Sequence, residues 1–191
     1  NSGKTTLFNA LTGLSAKVGN YPGITVEHRE GKATLKGDGG VVDVDVVDVP
    51  GTYSLLPRSD DEAVAVRAVL GTLPGLPPPA VLVVVVDATQ LERNRHLLAQ
   101  LRELPLPLVV ALTMTDTVEK DGSVVDVDAL AARVGVPVVK APGVRRGAEA
   151  LKALLHDEVQ KRPRRLPMNP ALSVPNDVAS VIDDAGKALA A

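Results

Sequence analysis

The first six residues of the chain have the types and order of a phosphate-binding loop. They are Asn1, Ser2, Gly3, Lys4, Thr5 and Thr6, and they match the second half of the pattern GxxxxGK[ST]. In such a loop, backbone N–H groups and the helix dipole favour a bound phosphate. Lys4 would reach the β- and γ-phosphates, and the Thr5 hydroxyl would bind Mg²⁺. The first Gly of the pattern and the preceding strand are missing from this sequence, so a helix start without a ligand is the alternative.

Two further segments supply groups that a nucleoside triphosphatase needs around the phosphates. Asp48, Val49, Pro50 and Gly51 directly follow an alternating apolar segment. Asp48 would hold Mg²⁺ through water, and the Gly51 N–H would meet the γ-phosphate. Thr25 lies between the loop and this segment, and its hydroxyl and carbonyl can join the Mg²⁺ shell while the γ-phosphate is present. The three segments together predict triphosphate binding, with Thr25 and Gly51 in the catalytic step.

The elements that must position these residues alternate between strand and helix. Aliphatic runs predict buried parallel strands at 80–86, 106–112 and 136–139, and alternation with aspartates predicts a half-exposed strand at 41–47. Helical spacing is present at 4–12, 60–70, 90–104, 126–134 and 146–160. Gly37, Asp38, Gly39 and Gly40 predict the turn of an antiparallel hairpin. This order predicts a doubly wound α/β fold with a mostly parallel sheet.

Composition restricts the functions that the chain can have. Its 191 residues suit one main domain, and a net charge of −2 with only three aromatic residues argues against a nucleic-acid partner. The absence of Cys excludes thiolate chemistry, and no apolar run reaches the roughly 18 residues that span a bilayer. We therefore expect a soluble piece with its main domain at 1–160. A proline-rich linker at 161–174 and the start of a helical domain at 175–191 would follow.

Four segments make the pattern specific to one family. Residues 1–13 read NSGKTTLFNALTG, residues 18–27 read VGNYPGITVE, residues 48–55 read DVPGTYSL, and residues 87–94 read DATQLERN. Together they resemble the N-terminal G domain of the bacterial ferrous iron transport protein B family. The likeness extends from residue 1 to about residue 160. The second and fourth segments separate the chain from ribosome-assembly and tRNA-modifying GTPases.

This resemblance implies a Ras-like P-loop GTPase fold, a three-layer α/β sandwich, that binds GTP and GDP with Mg²⁺ held by Thr5, Thr25 and Asp48. It also implies a K⁺ site that uses Asn1 together with carbonyls around Gly19 to Tyr21. In the family, a helical domain and a membrane permease domain follow in the same polypeptide, which places this domain on the cytoplasmic side of the bacterial inner membrane. A homo-oligomer is compatible with this arrangement. Thr52 stands where Ras-like proteins carry a water-orienting Gln, so slow hydrolysis is expected.

The guanine-recognition segments depart from the family pattern. Where Asn-x-x-Asp is expected, the chain has Thr113, Met114, Thr115 and Asp116, so Asp116 is kept and the Asn amide is lost. Pro142 and Gly143 replace a Ser-Ala pair, which leaves only backbone donors such as the Gly143 N–H for the guanine carbonyl. Guanine recognition therefore looks degenerate. Two alternatives stay open: a low-affinity pseudo-GTPase sensor, and a broad NTPase that uses ATP as well as GTP.

The remaining polar residues carry no separate site in this interpretation. His28, His96 and His156 are scattered without ligand spacing and are expected at the surface or in packing. Asp60, Asp61 and Glu62 are expected to favour the start of a helix by their charge.

Overall fold

The computed structural model describes residues 2–13, 16–21, 26–120 and 122–161. Its helices are α1 (Lys4–Thr12), α2 (Asp60–Val69), α3 (Leu91–Arg102), α4 (Thr115–Lys120), α5 (Val127–Val134) and α6 (Val144–Gln160). Its strands are β1 (Lys17–Asn20), β2 (Glu27–Gly37), β3 (Gly40–Asp48), β4 (Leu82–Asp87), β5 (Leu108–Thr113) and β6 (Val138–Lys140). The predicted alternation of helices and strands, and with it the α/β class, is confirmed.

The strands form two sheets of different kinds. β1, β2 and β3 are antiparallel neighbours in that order, and β4, β5 and β6 are parallel neighbours in that order. The predicted hairpin joins β2 to β3, with Gly37 paired to Gly40. A single sheet was expected, but among the described residues no ladder connects β3 to β4. The two sheets are therefore separated by a groove.

Two helices begin where side chains satisfy the free N–H groups of the first turn. Ser59 accepts a hydrogen bond from the Glu62 N–H at 3.3 Å, and the Glu62 carboxylate accepts one from the Arg58 N–H at 2.8 Å. These reciprocal bonds resemble a capping box, and the acidic first turn of α2 is placed as predicted. Asp126 caps α5 by accepting from the Ala129 N–H at 2.9 Å. Local sequence therefore fixes where α2 and α5 begin.

The main core lies between the two sheets and the helix pair α1 and α6. Its buried residues include Leu7 from α1, Leu35 from β2, Val109 from β5 and Leu151 from α6. Because α1 and α6 pack against strands of both sheets, they connect the two halves of the fold. This packing holds the start of α1 next to the ends of the strands.

Some elements differ from the sequence-based expectation. β1 and α4 were not predicted. β1 lies in a Gly-Asn segment that carries no strand pattern, and α4 has only six residues. The other boundaries shift by a few residues, as with β4 at 82–87 where 80–86 was expected. The predicted linker beyond residue 161 and the predicted helix at 175–191 lie outside the described residues. Among the helices that the structure describes, none is long and apolar enough to cross a bilayer.

The three histidines occupy surface and packing positions, as expected. His96 is exposed on α3, whereas His28 stacks on the Tyr21 ring with centroids 4.4 Å apart. His156 is 1% exposed and packs against the hairpin turn at Gly37. A Cβ atom at Gly37 would lie 2.2 Å from His156 Nδ1, which is far inside any real contact distance. Only glycine fits at position 37, because the His156 ring lies too close for a Cβ atom.

We expect Gly37→Ala to destabilise the fold by about 1–3 kcal/mol, because the added methyl must push the hairpin away from α6. Urea unfolding measures the change. Gly39→Ala is the milder comparison, since its Cβ would lie 3.3 Å from both the Gln160 side chain and His156 Cε1. In a protein that also carries His156→Ala, Gly37→Ala should lower the free energy of unfolding by much less. Equal costs in both backgrounds would contradict the steric explanation.

Candidate phosphate-binding site

The amino end of α1 has the backbone geometry of a phosphate-binding loop. Gly3 is the N-cap residue, with φ 74° in the left-handed region that favours glycine. The Gly3 carbonyl accepts the Leu7 N–H at 3.0 Å, and no side chain of the described residues caps this helix. Thr5 and Thr6 are exposed on the first turn. The first N–H groups of α1 thus remain available to an anion.

Lys4 links this loop to the end of β3. Its ammonium group lies 2.8 Å from Asp48 Oδ1 and donates a second bond to the Val49 carbonyl. The Lys4 side chain is 34% exposed and that of Asp48 is 11% exposed. Two of the three predicted phosphate-site segments therefore meet directly. The arrangement places a cation at the helix start and a carboxylate beside it.

The oxygen donors near α1 fit a hard divalent cation. The Thr5 hydroxyl is exposed at the helix start, and the Asp48 carboxylate lies beside Lys4. Mg²⁺ usually takes one or two protein oxygens, with phosphate and water completing its shell, so this sparse donor set suits it. The described residues contain no group of three or more His, Asp or Glu that could form an all-protein metal cage. A metal here would depend on bound phosphate.

Thr113 joins the other side of the loop to the parallel sheet. Its hydroxyl lies 2.8 Å from the Ser2 carbonyl and 3.1 Å from the Val86 carbonyl. One hydroxyl proton serves both acceptors, and the side chain is 6% exposed. Thr113 therefore connects the ends of β4 and β5 to the phosphate loop. Its hydroxyl is already engaged with backbone rather than free for a ligand.

A cavity of about 320 Å³ is lined both by phosphate-loop residues and by residues of the predicted guanine-recognition segments. It is lined by Gly3, Thr6, Leu7, Thr113, Met114, Asp116, Ala141 and Gly143. Asp116 is exposed in the first turn of α4, and Met114 has φ 56°, a strained value for a residue with a side chain. Pro142 is half-buried beside Gly143. The phosphate-loop residues and the altered recognition residues thus share one cavity, although their roles stay predictions.

Of the remaining predicted residues, Asn1 and Thr25 lie outside the described part of the chain. Gly51 is exposed, and a Cβ atom there would meet nothing within 4 Å. The Tyr21 N–H donates to the Val26 carbonyl at 3.3 Å. Burial, with smaller effects of Glu30 and Asp48, raises the pKa of the Tyr21 phenol above its usual value.

The structure also shows contacts to the segment after Gly51 that sequence reasoning missed. Gln100 on α3 accepts the Leu55 N–H at 2.8 Å and the Ser54 hydroxyl at 3.3 Å. Arg93, about two turns earlier on α3, lies 4.3 Å from the centre of the Tyr53 ring. A polar residue on a helix surface gives no local signal of such a contact. Helical spacing at 90–104 predicted this helix but not its contacts with the segment after Gly51.

Comparison with known proteins gives the same assignment along most of the chain. The family model described as "Ferrous iron transport protein B" matches residues 1–156. An Fe(2+) transporter FeoB of Shigella flexneri is 46% identical over 157 residues, and that of Salmonella typhimurium is 48% identical. Each alignment covers 80% of this chain and 19% of the relative, so the chain spans about a fifth of the length of these relatives.

Solved structures of T. maritima FeoB have the same fold. Its isolated G domain has a TM-score of 0.68 at 35% identity, covering 84% of this chain and 91% of that one. Its cytosolic domain in a GDP form has a TM-score of 0.77 at 30% identity, covering 97% and 82%. The GMPPNP form has a TM-score of 0.75 at 33% identity, covering 96% and 69%. The predicted P-loop GTPase fold is confirmed, and the chain belongs to the ferrous iron transport protein B family.

Proposed function

We propose that this chain is the nucleotide-binding regulatory domain of a ferrous iron transporter and that it binds GTP and GDP with Mg²⁺. The observation that carries the proposal is the convergence of Lys4, Asp48 and the exposed N–H groups of α1 at one end of the strands. The cavity that joins Gly3 to Asp116 extends this site toward a base. The GDP and GMPPNP forms of the solved relatives support the same ligands.

In this proposal each residue has a defined task. Lys4 moves from the Asp48 carboxylate toward the β- and γ-phosphates, and the first N–H groups of α1 donate to phosphate oxygens. Mg²⁺, when bound, would neutralise charge on the phosphates. Thr5, Thr25 and Asp48 would hold it. Gly51 is exposed and would donate its N–H to the γ-phosphate, and hydrolysis would be slow because Thr52 cannot orient water as a Gln does. Asn1 would help to hold K⁺.

The surrounding assembly is part of the same proposal. The relatives are transporters about five times longer than the matched region, since that region is 19% of their length. We infer a permease domain in the same polypeptide, a helical domain after this one, and a cytoplasmic position at a bacterial inner membrane. A homo-oligomer is compatible with this arrangement.

A low-affinity guanine site is the second candidate, and the engaged Thr113 hydroxyl favours it. That hydroxyl is bonded to backbone carbonyls, so it does not replace the missing Asn amide toward a base. Asp116 would still accept from guanine N–H groups, whereas its carboxylate would face the lone pair of adenine N1. The site would therefore bind guanine nucleotides weakly, and adenine nucleotides more weakly still.

Lys4→Ala should abolish measurable binding of a non-hydrolysable GTP analogue while the far-UV circular dichroism stays that of the parent. Charge-assisted hydrogen bonds contribute about 1.5–3 kcal/mol each, so the loss should be at least about tenfold. Isothermal titration calorimetry measures it. Lys32→Ala is the matched control, because the Lys32 side chain is 86% exposed in a surface pair with Asp45. Unchanged affinity in Lys4→Ala would show that the phosphate loop is misassigned.

Thr113→Asn should raise the affinity for GDP by about tenfold, since a hydrogen bond contributes about 0.5–1.5 kcal/mol and an unsatisfied base polar group costs more. The affinity for ADP should not change. Thr113→Ser keeps the hydroxyl and serves as the control that separates the amide from the tether to Ser2. A parent that already binds GDP tightly, or a variant that binds no better, would show that Thr113 is not the limiting defect. In the second case, the replacement at Pro142 and Gly143 becomes the next candidate.

GTP hydrolysis should be faster in potassium than in sodium, because a monovalent cation beside the phosphates can neutralise developing charge. Phosphate release at equal ionic strength measures the difference. Asn1→Ala should remove the stimulation, whereas Asn9→Ala on α1 should keep it. Equal rates in both salts would rule out the cation site, and so would a stimulated Asn1→Ala variant.

A further inference from the structure

The cavity beside the phosphate loop has two walls that come from separate strands. One wall is the segment after β5, with Met114 and Asp116, and the other is the segment after β6, with Ala141 and Gly143. A backbone hydrogen bond from the Ala141 N–H to the Leu112 carbonyl, at 2.8 Å, joins the two walls at their base. The width of the cavity then depends on what else holds the walls together.

An ion pair between Lys140 and Glu119 links the same two walls through side chains. Lys140 is the last residue of β6, and Glu119 lies in α4, which begins within the first wall. Lys140 Nζ lies 2.8 Å from Glu119 Oε1, and the two side chains are 35% and 45% exposed. We call this ion pair the α4–β6 clamp. It connects the helix that carries Asp116 to the strand that leads into Pro142 and Gly143.

Side-chain alternation along β6 directs Lys140 toward α4. Val138 and Val118 of α4 pack against the same buried cluster, whereas Val139 packs in the cluster of α1 and α6. Because residues two apart on a strand share a face, Lys140 lies on the same face as Val138. Its apolar stem can follow the edge of the core while its ammonium group reaches Glu119. The pattern of β6 therefore sets the partner of Lys140.

The clamp holds a short helix at the end opposite its buried anchor. α4 has six residues, too few for a helix to be stable by itself, so contacts with the rest of the fold must fix it. Thr115 is fully buried at its amino end. Glu119 follows Asp116 by three residues, so the two carboxylates lie on one side of the helix. Lys140 therefore offsets their repulsion and fixes the direction of Asp116.

We propose that the α4–β6 clamp positions Asp116 against the loop at 142–143 and thereby sets the selectivity of the cavity for a guanine base. Lys140 and Glu119 do not line the cavity, so they act through Asp116 as positioning residues. The proposal rests on the proposed function. It adds a means of base selection at a site whose Asn amide is missing.

The test compares the affinities of GDP and inosine diphosphate, which lacks the exocyclic amine that Asp116 would bind. Both are measured by calorimetry on the 191-residue chain. Lys140→Met keeps the apolar stem without its charge, and Glu119→Gln keeps the shape of the carboxylate. Each should weaken GDP binding about two- to fivefold, the range of a partly exposed ion pair, and weaken inosine diphosphate binding less. The double variant should lose no more than a single one.

Two control variants accompany this series. Lys140→Arg keeps the charge and should bind GDP as the parent does. Lys152→Met breaks an ion pair with Glu149 within α6, and neither residue lines the cavity. Its GDP affinity should equal that of the parent.

The opposite charges of the pair separate positioning from simple electrostatics. The field of the protein alone would make Lys140→Met weaken the binding of an anionic nucleotide and Glu119→Gln strengthen it. A clamp makes both changes weaken it. Opposite effects, equal losses for the two nucleotides, additive losses in the double variant or unchanged affinities would each overturn the proposal.

Inorganic tripolyphosphate separates this proposal from the proposed function, because it binds through phosphate alone. A parent that binds GDP and tripolyphosphate, with clamp variants that bind both equally well, would overturn the clamp and keep the proposed function. A parent that binds tripolyphosphate but neither nucleotide would overturn the clamp and keep the phosphate site. A parent that binds none of the three would contradict the proposed function, and the clamp would fall with it.

Discussion

The bridge from Lys4 to Asp48 and the Val49 carbonyl is the contact on which the site depends. Among the described residues the two sheets share no ladder, so the phosphate loop adds a direct link between the ends of β3 and β5 to the packing of α1 and α6. Lys4 holds the β3 side and Ser2 the β5 side. Because the lysine is one-third exposed, solvent screens the ion pair and its contribution to stability is small. Its effect is to orient the loop, which leaves a cation positioned for phosphate.

Thr113 holds the phosphate loop at a position where the sequence pattern places a base-recognition residue. The hydroxyl satisfies backbone carbonyls of the loop and of β4, which a buried polar side chain must do somehow. An Asn at this position has two amide protons and a carbonyl, so it can bond to the loop and still face a base. A Thr hydroxyl has one proton, and at this position it is donated to backbone carbonyls of the loop and of β4. The chain thus keeps the tether to the loop, and under the proposed function it lacks the amide that would face a base.

The sequence was sufficient for features that depend on local pattern and insufficient for those that depend on pairing. Aliphatic runs located β4 and β5, and the Gly-rich turn located the β2–β3 hairpin. β1 was missed because Lys17 to Asn20 has no alternation, and the strand exists only through its ladder with β2. The division into two sheets also escaped prediction, since strand neighbours are a tertiary property. Gln100 and the close approach of His156 to Gly37 are likewise contacts between distant segments.

The contacts of α3 restrict how the segment after Gly51 can respond to a nucleotide. Thr52 donates to the Ser54 carbonyl, Gln100 holds the Leu55 N–H, and the Leu55 side chain is buried among residues of α2 and α3. None of these contacts involves Gly51, and a Cβ atom there would meet nothing within 4 Å. Under the proposed function, a γ-phosphate would pull the Gly51 N–H without displacing residues 54–56. A larger motion must first break the Gln100 bonds and expose Leu55, so α3 sets the free energy that nucleotide binding must supply to move this segment.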